Sequence, residues 1–286
     1  MRRWRLALAI AIALGMATWA VGIASGRAEP TGLGPAAAKL PSFAKLAKQA
    51  TARGAITPLG PPEFSATFTS GKLNKKVWAT CFPWMDLPSG CTDFGNNDEN
   101  QWYLPSQVGI TGQTLALTAQ RVPTAGFKQD GQPTEYSCRS GIVTTYPGFR
   151  FEYGYVEVQA RIPASPGLWP ALWLAAANQQ WPPEIDMIES WGINTKSAVF
   201  FHPIAATPVA GRMNPPISQG WHTFALSWTP SQLTFFVDGK ELLTVHQQIP
   251  HQQMYFIANL AEYVPPSTSA YCNGQLLIRS IKVWRI

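Results

Sequence analysis

Residues 153–162 read YGYVEVQARI, and beyond the opening aromatic pair apolar and polar side chains alternate along the run. Period-two alternation with β-branched and aromatic enrichment marks a strand that buries one face. The same pattern returns in TLALTAQ (114–120), SAVFFHP (197–203), HTFALSWT (222–229), LTFFVDG (233–239) and LLIRSIKVW (276–284), with Gly, Pro and Asn between the segments. No helical heptad of useful length follows residue 60, and no internal repeat is visible. Short strands repeated over so long a span predict an all-β fold, one large sandwich or jelly roll.

The ends of the chain belong to something else. Residues 1–28 carry a basic start (Arg2, Arg3, Arg5), an apolar run from Leu6 and small residues at Ala24, Gly26 and Ala28. They are expected to be a signal peptide cleaved after Ala28, with an uncleaved membrane anchor through residues 6–24 as the alternative. Residues 29–60, rich in Ala, Gly, Pro and Thr, read as a linker, and 61–286 as the folded domain. The expected location is secreted, extracellular or periplasmic, or membrane-anchored if the signal stays.

Charge narrows the partner. The formal net charge of +6 falls to +2 without the four arginines of the signal. The linker carries Lys39, Lys45, Lys48 and Arg53 against Glu29, which leaves the body from Pro61 at −1. Nucleic acid or a sulfated glycan would call for a basic patch that this balance disfavours. An uncharged partner is expected. Four cysteines (Cys81, Cys91, Cys138, Cys272) in an exported chain predict two disulfides, in one of three connectivities. The pairing expected is Cys81–Cys91 across a short loop and Cys138–Cys272 between distant segments. A zinc site lacks the CxxC or HxxxH spacing it would need.

The chemistry gathers in WPPEIDMIESWG, residues 181–192. This chain has only 16 acidic residues in 286, yet three of them fall within six positions. On a strand, Glu184 and Asp186 share a face, and strict alternation sends Glu189 to the other. One extra residue at Met187–Ile188, a β-bulge, returns it to the first. Ile185 and one of Met187 or Ile188 would then anchor the opposite face. Three aligned carboxylates repel one another, so the row favours chemistry over structure. Two carboxyls about 5–5.5 Å apart serve retaining glycoside hydrolysis, and a wider gap serves inversion. Strand rise sets Glu184 and Glu189 about 13 Å apart at Cα, a gap that inward-leaning side chains would shorten. A solvated acidic strand or a calcium site is the rival reading. Trp169, Trp173, Trp181 and Trp191 crowd the same region and fit stacking on sugar faces.

With NNDENQWY (96–103), SGIVTTYPGFRFEYGYVEVQARIP (140–163), GLWPALWL (167–174), EIDMIE (184–189), HTFALSWTPSQLTFFVDG (222–239) and IKVW (281–284), the chain resembles glycoside hydrolase family 16, on its laminarinase-like branch with the bulged Glu-x-Asp-x-x-Glu motif. The resemblance covers roughly Phe64 to Trp284. It implies a concanavalin-A-like β-jelly roll, a sandwich of two antiparallel sheets with a glycan cleft across the concave one. It implies Glu184 as nucleophile, Glu189 as acid/base and Asp186 as assisting acid. Trp169 matches a sugar-stacking Trp and His202 a His near the acids. Trp181 and Asn259 are further expected substrate contacts. Asn97 and Arg139 fit sugar hydrogen bonds or framework roles, Trp102 and Tyr103 a cleft edge or the core, and Trp173 is expected in the core. Members that bind a structural calcium do so through acids where this chain has Thr67 and Arg279, so no metal and no cofactor are expected. The resulting expectation is a monomeric, retaining endo-β-glucanase cutting β-1,3 or mixed β-1,3/1,4 glucan by double displacement. A transglycosylase on the same site and a non-catalytic glycan-binding jelly roll are the alternatives, and agarase- or carrageenan-type specificity is disfavoured by charge.

Overall fold

The computed structural model describes residues 60–85, 90–93, 99–190, 197–212, 217, 220–263 and 272–285. The expected signal and all of the linker but Gly60 lie outside the described residues, as do Asn97 and Trp191. Two sheets make the fold. The smaller is antiparallel throughout, in the order Val209–Arg212, Ser197–His202, Glu184–Ser190, Leu168–Ala176, Met254–Glu262, Ile142–Thr144. The larger runs Lys240–Val245, Gln232–Val237, His222–Thr229, Gly154–Arg161, Asn273–Trp284, Thr114–Gln120, Cys138–Ser140, Gln101–Tyr103, with Phe64–Ala66 and Val108–Thr111 paired alongside.

One pairing departs from the expected antiparallel sandwich: Gln101–Tyr103 runs parallel to Cys138–Ser140. Between them the chain passes through a hairpin in the sheet and a second hairpin, Thr124–Phe127 with Pro133–Tyr136. A parallel return needs a crossover of a dozen or more residues, and these hairpins supply it. The second hairpin also covers Trp102, which is fully buried with its ring 5.1 Å from that of Tyr136. At Gly126 a Cβ would fall 2.7 Å from the Trp102 ring, so only glycine permits this approach. Trp102 is therefore core.

Alternation divides the side chains. Leu168, Leu172, Leu174, Ile185, Met187, Ile188, Val199, Phe201, Phe256 and Leu260 of the smaller sheet meet Leu115, Leu117, Val156, Val158, Phe224, Leu226, Trp228 and Phe235 of the larger in one apolar core. The other face of the smaller sheet carries the acids. Part of that face lies under a second cluster, in which Phe82, Cys91 and Tyr103 pack on Ile142, Ala175, Tyr255 and Ile257. This double cover explains why Met254–Glu262 is buried at every position.

Both expected disulfides are present, Cys81–Cys91 with a Cα separation of 5.8 Å and Cys138–Cys272 with 6.0 Å. The first staples the segment over the acid-bearing face. The second ties the short strand Cys138–Ser140 to the entry of Asn273–Trp284. Arg279, at the position read as a lost calcium ligand, stacks its guanidinium 3.8 Å from the Trp221 ring centre.

The bridges span 10 and 134 residues. In the loop-entropy picture such loops are worth about 3 and about 5 kcal/mol. Replacing Cys138 and Cys272 by Ala should therefore lower the melting temperature more than replacing Cys81 and Cys91. Differential scanning calorimetry of the two double variants checks the order, and equal losses would remove loop length as the cause.

Candidate active site

The acid row depends on one unpaired residue. Ala175 lies opposite Glu184, Trp173 opposite Asp186, Leu172 opposite Ile188 and Ala171 opposite Glu189, which leaves Met187 without a partner on that side. The strand beyond shows the same irregularity, with Phe200 opposite Asp186 and Ala198 opposite Glu189. This is the expected bulge, and it turns all three carboxylates to the face away from the core. Ile185, Met187 and Ile188 are all buried in the core, so the bulge sends both candidate anchors inward rather than one.

Each glutamate receives an indole N–H. Trp181 Nε1 donates to Glu184 Oε2 at 2.9 Å, and Trp169 Nε1 donates to Glu189 Oε1 at 2.9 Å. Both rings are half-buried. Trp169 also meets Tyr263 edge-on at 5.9 Å. His202, opposite Glu184 in register, places Nε2 3.4 Å from Asp186 Oδ2 and 3.7 Å from Glu184 Oε1. Trp169, Trp181 and His202 thus join the three acids as their first contacts.

The other expected contacts are placed differently. Trp173 does not enter the core: its register opposite Asp186 puts it on the acid face, where its indole donates to Asn259 Oδ1 at 2.7 Å. The odd-numbered positions of Leu168–Ala176 all face the acids, so Trp173 goes where Trp169 goes. Asn259 lies on the same face, and its Nδ2 donates to Tyr103 Oη at 3.0 Å, so its amide bridges Trp173 and Tyr103. Tyr103 is buried against the floor of this face. Arg139 is bound to Gln120 Oε1 through Nε at 2.9 Å and Nη2 at 2.6 Å, a framework contact between neighbouring strands.

Glu99 is the residue that sequence reading passed over. Its carboxylate accepts from Gln101 Nε2 and touches Tyr103. Burial first, then the nearby Asp93 and Glu189, hold this carboxyl well above the usual range. The signal was available in the acids of NNDENQWY, whose Asn97 drew the attention instead.

Burial likewise raises the whole acid row. Glu184 is pushed up to about 8, by burial and then by Asp186, against the lowering effect of His202 and the Trp181 N–H. Asp186, 1% exposed, is pushed up to about 8 by burial and relieved only by its hydrogen bond with Glu184. Glu189 is held well above the usual range by burial, then by the charges of Asp186 and Glu184. Glu184 and Asp186 interact directly, so the protonation of one bears on the other. Glu184 has the Trp181 N–H and His202 to favour its anion, whereas Asp186 has only its hydrogen bond with Glu184. The acids thus sit in unequal surroundings, the kind of difference from which general-acid and nucleophilic roles are divided.

This arrangement costs stability at alkaline pH. A carboxyl whose pKa is raised by folding binds its proton more tightly folded than unfolded. Its contribution is full below the unfolded pKa near 4 and is lost as pH climbs to about 8. Asp186→Asn removes that loss. The variant should melt above wild type at pH 8, and the gap should close toward pH 4. Melting curves across that range check this, and a gap independent of pH would mean that Asp186 titrates normally.

A model of the family "Glycosyl hydrolases family 16" matches residues 96–269. Endo-1,3-1,4-beta-glycanase ExsH of Rhizobium meliloti (strain 1021) is 29% identical over 199 residues, which cover 65% of this chain and 42% of ExsH. Endo-1,3-1,4-beta-glycanase EglC of the same organism is 28% identical over 235 residues, 76% of this chain and 48% of EglC. The chain spans about half the length of these curated relatives. The crystal structure of laminarinase from Flavobacterium sp. UMI-01 matches with a TM-score of 0.63 at 26% identity, over 78% of this chain and 100% of that one. The family match takes in the acid row, both indole donors and more than half of the 286 residues, and by it the chain belongs to glycosyl hydrolase family 16.

Proposed function

We propose that this chain is an exported, retaining endo-β-glucanase acting on neutral glucan with β-1,3 or mixed β-1,3/1,4 linkages. The observation that carries the reading is the pair of glutamates on one face, each held by an indole N–H, with Asp186 between them. The names of ExsH, EglC and the Flavobacterium laminarinase support the substrate class. Export rests on the composition of residues 1–28, and on the two disulfides, which form in oxidising compartments.

In this mechanism Glu184 attacks the anomeric carbon while Glu189 protonates the departing glycosidic oxygen. Water then attacks the glycosyl-enzyme as Glu189 takes back a proton, and Glu184 is released. Trp169 occupies Oε1 of Glu189, which leaves Oε2 to carry the proton. The Trp181 N–H and His202 favour the Glu184 anion that attacks. The half-buried indole faces next to the acids suit stacking against sugar rings.

Two experiments test the assignment. Glu184→Gly and Glu189→Gly should each abolish glucan hydrolysis with the fold intact. Added azide should then yield an α-glycosyl azide from the first variant and a β-glycosyl azide from the second, read by NMR. Exchanged stereochemistry would reverse the two roles. The second experiment isolates the indole donor: Trp169→Phe keeps a ring but removes the N–H that favours ionised Glu189. The alkaline limb of the kcat/KM profile should move to higher pH, and a limb that stays put would separate Trp169 from proton transfer.

A further inference from the structure

Three ligand-bearing side chains in the acid row are spaced as a metal site. Glu184, Asp186 and His202 each bring one ligating atom to within 4.8 Å of the others. The edges to His202 Nε2 are 3.4 Å from Asp186 Oδ2 and 3.7 Å from Glu184 Oε1. Zinc binds imidazole nitrogen and carboxylate oxygen at about 2.0–2.2 Å with tetrahedral geometry, which puts neighbouring ligands about 3.4 Å apart. One edge already has that length, and the other is longer by a few tenths of an ångström. Calcium, by contrast, takes six to eight oxygens and has no use for the imidazole.

A second observation points into the same space. Asp186 is 1% exposed, yet its Oδ2 has no hydrogen-bond partner, because the approach of His202 is close but poorly aligned. A buried polar atom without a partner is costly, and a cation among these three atoms would satisfy it. The other such trio among the described residues, Cys138, Glu262 and Cys272, has both sulfurs in a disulfide and is closed to metal.

We infer that Glu184, Asp186 and His202 form an inhibitory site for Zn²⁺, three protein ligands with a fourth position open to the cleft. His202 Nδ1 has no acceptor, whereas dedicated zinc sites brace that nitrogen through a second layer of partners. Binding is therefore reversible and weaker than at such dedicated sites. Bound zinc ties up the Glu184 carboxylate. Only the loss of hydrolysis rests on the proposed function; the binding itself does not.

Isothermal titration of the full, unreduced chain with ZnCl₂ tests the site without any substrate. One Zn²⁺ per chain is expected, with MgCl₂ and CaCl₂ giving no comparable heat. His202→Ala and Asp186→Ala should each weaken binding by at least about a hundredfold, since even second-layer partners are worth 10–100-fold. Glu189→Gln should bind as wild type does. Melting curves verify that each variant is folded, and His202→Asn stands in if the alanine variant is not. X-ray absorption on the zinc-loaded protein should show one imidazole among nitrogen and oxygen ligands. No binding by folded wild type at 1 mM zinc, or binding undiminished in the His202 variant, would overturn the inference. A chain that binds zinc at this trio but, when freed of metal, leaves glucans intact would refute the proposed function and leave the site standing.

Discussion

The acid-bearing face exists because one residue, Met187, is left out of the ladder. Without that bulge, period-two geometry would drive Glu189 into the apolar core and turn Ile188 toward the solvent side. With it, Ile185, Met187 and Ile188 are all buried, and three carboxylates stand on the opposite face. The bulge therefore satisfies two demands that a regular strand sets against each other. Packing needs apolar residues at the centre of a sheet, and the proposed chemistry needs two acids close enough to share one sugar.

That gain carries an electrostatic cost, and the surroundings limit it unevenly. All three carboxyls are pushed toward their neutral forms by burial and by one another. Trp181 and Trp169 each stabilise the anion of one glutamate, while Asp186 receives only its hydrogen bond with Glu184. The asymmetry is what turns three similar acids into different ones. Beneath them, Trp173, Asn259, Tyr103, Glu99 and Gln101 form a hydrogen-bonded chain across the floor. Asn259 holds two aromatic rings in place at the edge of the site.

Much of this was legible in the sequence, for reasons that differ by residue. Strands announced themselves by alternation, and the bulge by a spacing of five between Glu184 and Glu189. The disulfides followed from counting, and their pairing from the short interval between Cys81 and Cys91. What stayed hidden depends on which segments meet in space. Trp173 was expected in the core, although alternation from Trp169 puts it on the acid face. Arg139 pairs with Gln120 because two strands adjoin, a relation no local pattern records. The parallel pairing of Gln101–Tyr103 and the Phe82 layer over Ile257 are products of chain return, and sequence periodicity is silent on both.

Side-chain size along Leu168–Ala176 adds the last constraint. On the acid face the order is Trp169, Ala171, Trp173, Ala175, large alternating with small. The alanines fall directly opposite Glu189 and Glu184, and Trp173 falls opposite Asp186. A large side chain at 171 or 175 would fill the space into which a glutamate must lean to approach its partner across the row. The indole at 173 does the opposite for Asp186, covering that acid. Register thus sets each glutamate against an alanine and the aspartate between them against an indole.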